Sequence, residues 1–247
     1  MPHRHVSATL LGLLLAAPLA PAAAQHSHDA PAAVDPAVAG GVDAAMAGRV
    51  VADAHLQLTP PRAVTAADSA RGREIAAALE SYLTRYHDVR VAEADGFRVF
   101  APNVPQAVYH YTRLGNALKA AVSFDAARPT SLLYRPRADG TMELVGAMYT
   151  APARASLEEL DRRVPLGLAR WHKHVNICVP QRRDRARWTE TEHGRPKFGP
   201  AGIISTRAAC EAEGGRFHEE LFGWMVHADV RADGGVAWGE NTKGHEH

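Results

Sequence analysis

The longest periodic pattern of apolar residues lies between Asp68 and Ala94. Apolar side chains recur there at steps of three and four residues, at Ile75, Leu79, Tyr82, Leu83 and Tyr86. This spacing places them on one stripe of an α-helix. Asp68 or Ser69 is available as the N-cap, and Gly96 lies just beyond the end. The pattern predicts a long N-terminal amphipathic helix whose stripe must pack against a sheet or another helix.

Strand patterns follow this helix. Thr130–Tyr134 and Glu143–Thr150 flank the turn-like residues Arg137–Gly140, which predicts a β-hairpin. Two further segments, Trp171–Val179 and Phe222–Val230, are rich in aromatic and β-branched residues and are also predicted to be strands.

Two short helices complete the pattern. Ser156 with Glu159 three residues later forms a capping box, and Pro165 limits the helix that it opens. Thr206–Gly214 predicts a second helix that ends at glycine. Helices and hairpins mix without a repeating strand-helix-strand order. The predicted fold is therefore α+β with a mostly antiparallel sheet, formed by a single domain over residues 46–247.

The N-terminus has the pattern of a secretory signal peptide over residues 1–24. Arg4 precedes the apolar run Ala8–Leu15, and the small residues of Ala16–Ala24 follow. The apolar run is shorter than the roughly 20 residues of a membrane span, and no later segment approaches that length. Residues 25–45 are rich in Ala, Pro and Gly and predict a disordered linker. We expect a periplasmic or secreted protein with no membrane span in the mature chain.

The charge balance indicates which classes of partner to expect, and the two cysteines indicate a disulfide. The chain has 28 Lys and Arg against 27 Asp and Glu, and removal of the leader makes the two numbers equal. A nucleic-acid-binding protein would show a basic excess, so small molecules, metals or proteins are the expected partners. Because an exported protein folds in an oxidising compartment, Cys178 and Cys210 are predicted to form one disulfide. Closure of this loop would stabilise the fold by about 3 kcal/mol, whereas the alternative of thiolate metal ligands lacks a CxxC pair.

The candidate chemistry lies in the segment Trp171–Cys178. In a strand, alternate side chains share a face, so the histidines fall on the face of His172, His174, Asn176 and Cys178. In a helix, residues two apart would lie about 200° apart around the axis. The strand assignment is therefore a premise of any site that uses both imidazoles.

Two more histidines could join this pair. The apolar face of Phe222, Trp224 and Val226 leaves Met225 and His227 on the opposite side of their strand. His110 lies in a short extended segment before the hairpin. Imidazoles on adjacent strands can bind one ion at about 2.0–2.1 Å, which favours zinc or copper over calcium or magnesium. Asn176 would then orient an imidazole through its amide.

Other readings of these histidines stay open. The same cluster could serve a zinc hydrolase or a copper or iron oxidoreductase. Alternatively, the histidines are polar core residues of a metal-free ligand- or protein-binding module. Four further histidines are predicted to lie on the surface or on a helix face, namely His55, His87, His193 and His218. The absence of common motifs weighs against several enzyme classes. The chain has no GxSxG, P-loop, GxGxxG or CxxC, and Phe222 replaces the second histidine of HExxH.

Both chain ends carry further histidines. If cleavage follows Gln25, the new N-terminus His26-Ser27-His28 suits Cu(II) or Ni(II), whereas cleavage after Ala24 weakens that geometry. The C-terminal segment Gly244–His247 is a second short histidine-rich tract. For each end alone, a solvated tail is the simpler interpretation.

Four blocks resemble a family of exported bacterial proteins with WHxHxNxC and GWMxH motifs. They are Ser131–Tyr134, Val145–Thr150, Trp171–Cys178 and Gly223–His227, within a similarity over roughly residues 60–240. The resemblance implies that the blocks belong to one domain. It implies no activity.

Overall fold

The computed structural model describes residues 54–102, 106–231 and 234–238. The predicted signal peptide and linker lie outside these ranges, as do His26–His28 and Gly244–His247. Within the described ranges, no helix has the length and apolar character needed to cross a membrane.

Five α-helices and one 3₁₀-helix lie in the described ranges. The α-helices are α1 (Ala66–Leu83), α2 (Val89–Ala94), α3 (Leu114–Ala120), α4 (Leu157–Arg163) and α5 (Arg207–Ala212), and the 3₁₀-helix is Arg185–Thr189. The strands are β1 (Leu56–Leu58), β2 (Arg98–Val99), β3 (Tyr109–Thr112), β4 (Ser131–Pro136), β5 (Met142–Ala151), β6 (His172–Val179), β7 (Thr191–Glu192), β8 (Arg195–Pro196), β9 (Arg216–Val230) and β10 (Val236–Trp238).

One curled antiparallel sheet unites eight of the strands. Its order is β1-β6-β9-β5-β4-β3-β2, with β10 added on β9. The pairings in this sheet are antiparallel, and β7 pairs with β8 as a separate ribbon. The predicted α+β class is confirmed at this level.

The predicted helix over Asp68–Ala94 is wrong in its bounds, because two helices occupy the segment. Thr65 caps α1, and Asp68 is the third residue of a capping box in which both reciprocal hydrogen bonds form. The second helix, α2, is capped by Asp88, whose side chain accepts a hydrogen bond from the Arg90 N–H. This second cap lies inside the periodic pattern and separates the two helices.

The other local predictions are confirmed. β4 and β5 form the hairpin, whose turn is closed by a 2.8 Å hydrogen bond from the Arg137 N–H to the Thr141 carbonyl. Ser156 and Glu159 form their capping box at the start of α4. Thr206 caps α5. The two aromatic segments lie in strands β6 and β9, although β9 begins at Arg216, six residues before the predicted start at Phe222.

The main core lies on one face of the large sheet. Ile75, Leu79 and Leu83 of α1 share a buried cluster with Trp171 and with the strand residues Leu132, Tyr134, Tyr149, Trp224 and Val226. Each of these strand residues alternates with a neighbour that lies on the opposite face, as the pleat requires. A smaller buried cluster of Val108, Leu133, Met148 and Met225 occupies that opposite face.

The predicted disulfide joins β6 to α5. Cys178 and Cys210 are bonded, with 5.5 Å between their Cα atoms, and they pack with Phe198 and Ile204. Gly215 passes directly over the bridge, where a Cβ atom would meet the sulfur atoms of both cysteines. A side chain at position 215 would therefore displace the disulfide.

Candidate functional site: a buried histidine cluster

Four histidines from three strands lie on the face opposite the main core. His110 is on β3, His172 and His174 are on β6, and His227 is on β9. Their exposed fractions are only 6%, 2%, 5% and 3%, respectively. The four residues, referred to below as the histidine cluster, are the candidate ligands predicted from the sequence.

The rings of the histidine cluster form a contiguous series. His172 lies in the middle, with its ring centroid 5.7 Å from that of His174 and 5.0 Å from that of His227. The ring centroids of His227 and His110 are 5.9 Å apart. The structure thus brings residues from widely separated parts of the chain into one group.

Curling of the sheet explains how His110 reaches the others. Strands β5 and β4 lie between β9 and β3, and three interstrand spacings in a flat sheet would amount to about 14 Å. The 5.9 Å between the rings of His110 and His227 therefore requires the sheet to bend toward this face. The histidine cluster lies on the concave side.

A β-bulge in β9 shifts the register between β9 and β6 beside the histidine cluster. His172 pairs with Met225 whereas His174 pairs with Leu221, so β9 uses two more residues than β6 over this interval. Phe222 lies in the bulge with a φ of 71°, and at Gly223 a Cβ atom would collide with the Ala151 carbonyl. The bulge separates Leu221, opposite His174, from Met225, opposite His172.

Because of the bulge, the prediction that Phe222 shares the apolar face of Trp224 and Val226 is wrong. Trp224 and Val226 belong to the main core as predicted. Phe222 does not, because its left-handed backbone turns it out of the alternation and leaves it 48% exposed. Its ring contacts Phe100 at a centroid distance of 5.3 Å.

Two other predictions near the site also need correction. Asn176 has a φ of 56°, and its side-chain amide donates to the Ala54 carbonyl at 2.9 Å, so this amide fixes the backbone before β1 and not an imidazole. His55 was predicted to lie at the surface but is 3% exposed, with Nε2 2.7 Å from the Gly202 carbonyl oxygen. His87 and His193 are exposed as predicted, and His218 is half-buried.

Burial keeps the imidazoles of His172 and His110 neutral near pH 7. Burial lowers the pKa of His172 to about 4. Burial also lowers the pKa of His110 to about 3, with further lowering by His227, His174 and His172 and a small opposing effect of a hydrogen bond to the backbone of Val108. Neutral imidazole is the form that binds metals.

The donor atoms do not form a complete metal site as they stand. In the described part of the chain, no group of three or more His, Cys, Asp or Glu side chains is arranged to hold a metal ion. Metal binding by the histidine cluster would require the rings to turn about their side-chain torsions so that their nitrogens converge.

Two methionines lie on the same face and were not assigned to the site from the sequence. Met225 is directly opposite His172, and Met148 is directly opposite His227. The signal available in the sequence was the alternation on β9, which places Met225 on the side of His227. The place of Met148 depends on the register between β5 and β9, which the sequence does not reveal.

Comparison of the chain with protein-family models, curated proteins and solved structures finds no match. The proposal that follows therefore rests on the geometry and chemistry of the histidine cluster.

Proposed function

We propose that this chain is an exported protein that binds a transition metal, zinc or copper, through His172, His174 and His227 with His110. The bound ion would serve metal handling or hold the curled sheet as a structural site. The observation that carries the proposal is the spacing of four buried imidazoles on one concave face.

Each neighbouring pair of rings has a spacing close to that of two imidazoles bound to one ion. With a metal–nitrogen bond of about 2.0–2.1 Å, a ring centroid lies about 3.2 Å from the ion, and two rings at a tetrahedral angle have centroids about 5.2 Å apart. The three neighbouring pairs are 5.0, 5.7 and 5.9 Å apart. Binding by more than two rings would require the outer rings, those of His174 and His110, to turn toward His172 and His227.

The chemistry of the histidine cluster also supports the proposal. A buried imidazole without a ligand role usually contributes one hydrogen bond inside an apolar core. Here four imidazoles share one face, and burial lowers the pKa of His172 and His110 so that both stay neutral. A group of neutral nitrogen donors is what zinc and copper select.

Export is supported by two features of different kinds. The N-terminal sequence has the charge, apolar run and small residues of a signal peptide. The disulfide between Cys178 and Cys210 is the form expected in an oxidising compartment. N-terminal sequencing of the protein from a periplasmic fraction tests export directly, and retention of Met1 in that material would contradict it.

Metal content is the test of binding. Untagged protein is stripped with a chelator, reloaded with Zn(II) or Cu, passed through a desalting column and analysed by mass spectrometry of metals. We expect about one ion per chain for the wild type and none for His172→Ala with His174→Ala. The matched control is His87→Ala with His193→Ala, which removes two exposed imidazoles and should change nothing.

The outcomes separate the proposal from its alternatives. Near-UV circular dichroism establishes that the double variant is folded, and His227→Asn supplies a second, milder substitution in the same cluster. If the folded variants retain the metal content of the wild type, the proposal is wrong. The histidines are then polar core residues of a metal-free binding module.

A further inference from the structure

Two methionines are built into the face of the histidine cluster. Residues directly opposite each other in an antiparallel pair have Cβ atoms about 4.5–5.5 Å apart. Met225 has this relation to His172, and Met148 has it to His227. Each thioether side chain therefore starts beside an imidazole of the cluster.

The methionines are buried apart from the main core. Each is 7% exposed, and together with Val108 and Leu133 they form a separate apolar cluster on the concave face. Methionine has three flexible side-chain torsions and a polarizable sulfur. Both thioethers can thus approach an ion held by the neighbouring rings without a backbone shift.

The buried residues beside the histidine cluster offer neutral nitrogen and thioether donors. Among the described residues the one buried acid is Asp68, whose carboxylate pairs with Arg62 and caps α1. The cost of burying an ion grows with the square of its charge, so a neutral buried pocket favours a monovalent ion over a divalent one.

The geometry points to Cu(I) as the ion of this site, bound by imidazoles of the histidine cluster together with the thioethers of Met148 and Met225. Thioethers are soft ligands that select Cu(I), whereas imidazole alone accepts zinc as well. This inference rests on the proposed function and adds the identity and oxidation state of the metal.

The test compares the affinities of matched variants for two metals. Cu(I) is supplied under argon as its acetonitrile complex and competed with bicinchoninate, and Zn(II) is competed with a chromogenic chelator. We expect Met148→Leu with Met225→Leu to weaken Cu(I) binding by about tenfold or more while Zn(II) binding stays unchanged. Met142→Leu is the control, because Met142 is on β5 but packs against the main core.

The results distinguish failure of this inference from failure of the proposed function. If the histidine variants lose metal and the methionine variants bind Cu(I) like the wild type, only the inference falls. Equal losses of Cu(I) and Zn(II) in the methionine variants would also overturn it, because the methionines would then act only through packing. If the wild type binds neither metal, both proposals are wrong.

Discussion

Both faces of the curled sheet bury side chains, but the two faces differ in the polar groups that they bury. On the helix-covered face, buried polar groups donate to distant backbone carbonyls. Examples are the hydroxyls of Tyr134 and Tyr149, which donate to Tyr86 and Ala126 at 2.6 Å, and the indole of Trp171, which donates to Val164. On the concave face, the histidine cluster places four buried imidazoles against one another.

Neighbouring residues of one segment contribute to the two faces separately. Trp171 and His172 are adjacent and both are fully or nearly fully buried, yet one is in the main core and the other is in the histidine cluster. The alternation of a strand assigns them to opposite faces. Substitutions on the two faces should therefore have separable effects, which the following predictions test in order of size.

The largest expected effect is the pH dependence of the metal-free protein. In the unfolded chain histidine takes up a proton near pH 6.5, whereas folded His172 does so only near pH 4 and His110 near pH 3. The unfolded state thus binds more protons in this window, and stability must fall as pH falls. His172 alone should contribute a loss of about 3 kcal/mol, measured by urea unfolding between pH 7 and pH 4.

A matched variant identifies the source of this pH dependence. His172→Leu with His110→Leu should flatten the slope between pH 6.5 and pH 4, whereas His87→Ala with His193→Ala should leave it as in the wild type. A wild-type stability that is constant across the window would show that these imidazoles titrate normally.

The next effect concerns the helix-covered face. Trp171→Ala should cost about 3–5 kcal/mol, because it removes a fully buried aromatic residue from the main core. Met225→Leu on the concave face should cost less than about 1.5 kcal/mol, because the volume is nearly conserved. Chemical unfolding measures both, and a loss below about 1 kcal/mol for Trp171→Ala would contradict its place in the main core.

The disulfide should contribute a smaller and purely structural effect. Cys178→Ser with Cys210→Ser removes the bridge and should lower stability by about 3 kcal/mol or less. Metal content should not change, since the bridge packs with Phe198 and Ile204 outside the histidine cluster. A loss of metal in the folded double variant would mean that the bridge positions β6 for binding.

Local sequence patterns predicted many elements of this fold but not the features that depend on long-range contacts. The hairpin, the capping box at Ser156 and the strands β6 and β9 depend on neighbours in sequence, and all were predicted. The split of the long helix was missed, because Asp88 acts as a cap in the middle of an uninterrupted apolar pattern. An internal cap is invisible to periodicity.

The site shows the same division. Alternation placed His172 with His174 and Met225 with His227, but the bulge at Phe222 and the positive φ of Asn176 break that alternation elsewhere. The nearness of His110 depends on the curl of the whole sheet, and the burial of His55 depends on a contact with Gly202. Such tertiary features follow from packing, which a single sequence does not display.

The most direct test of the central claim is X-ray absorption spectroscopy of the protein loaded with about one equivalent of zinc or copper. The account predicts the multiple-scattering signature of at least three imidazole rings bound to the ion, with loss of that signature in His172→Ala with His174→Ala. A coordination shell of water oxygens with no more than one imidazole would contradict the claim that the histidine cluster is a metal site.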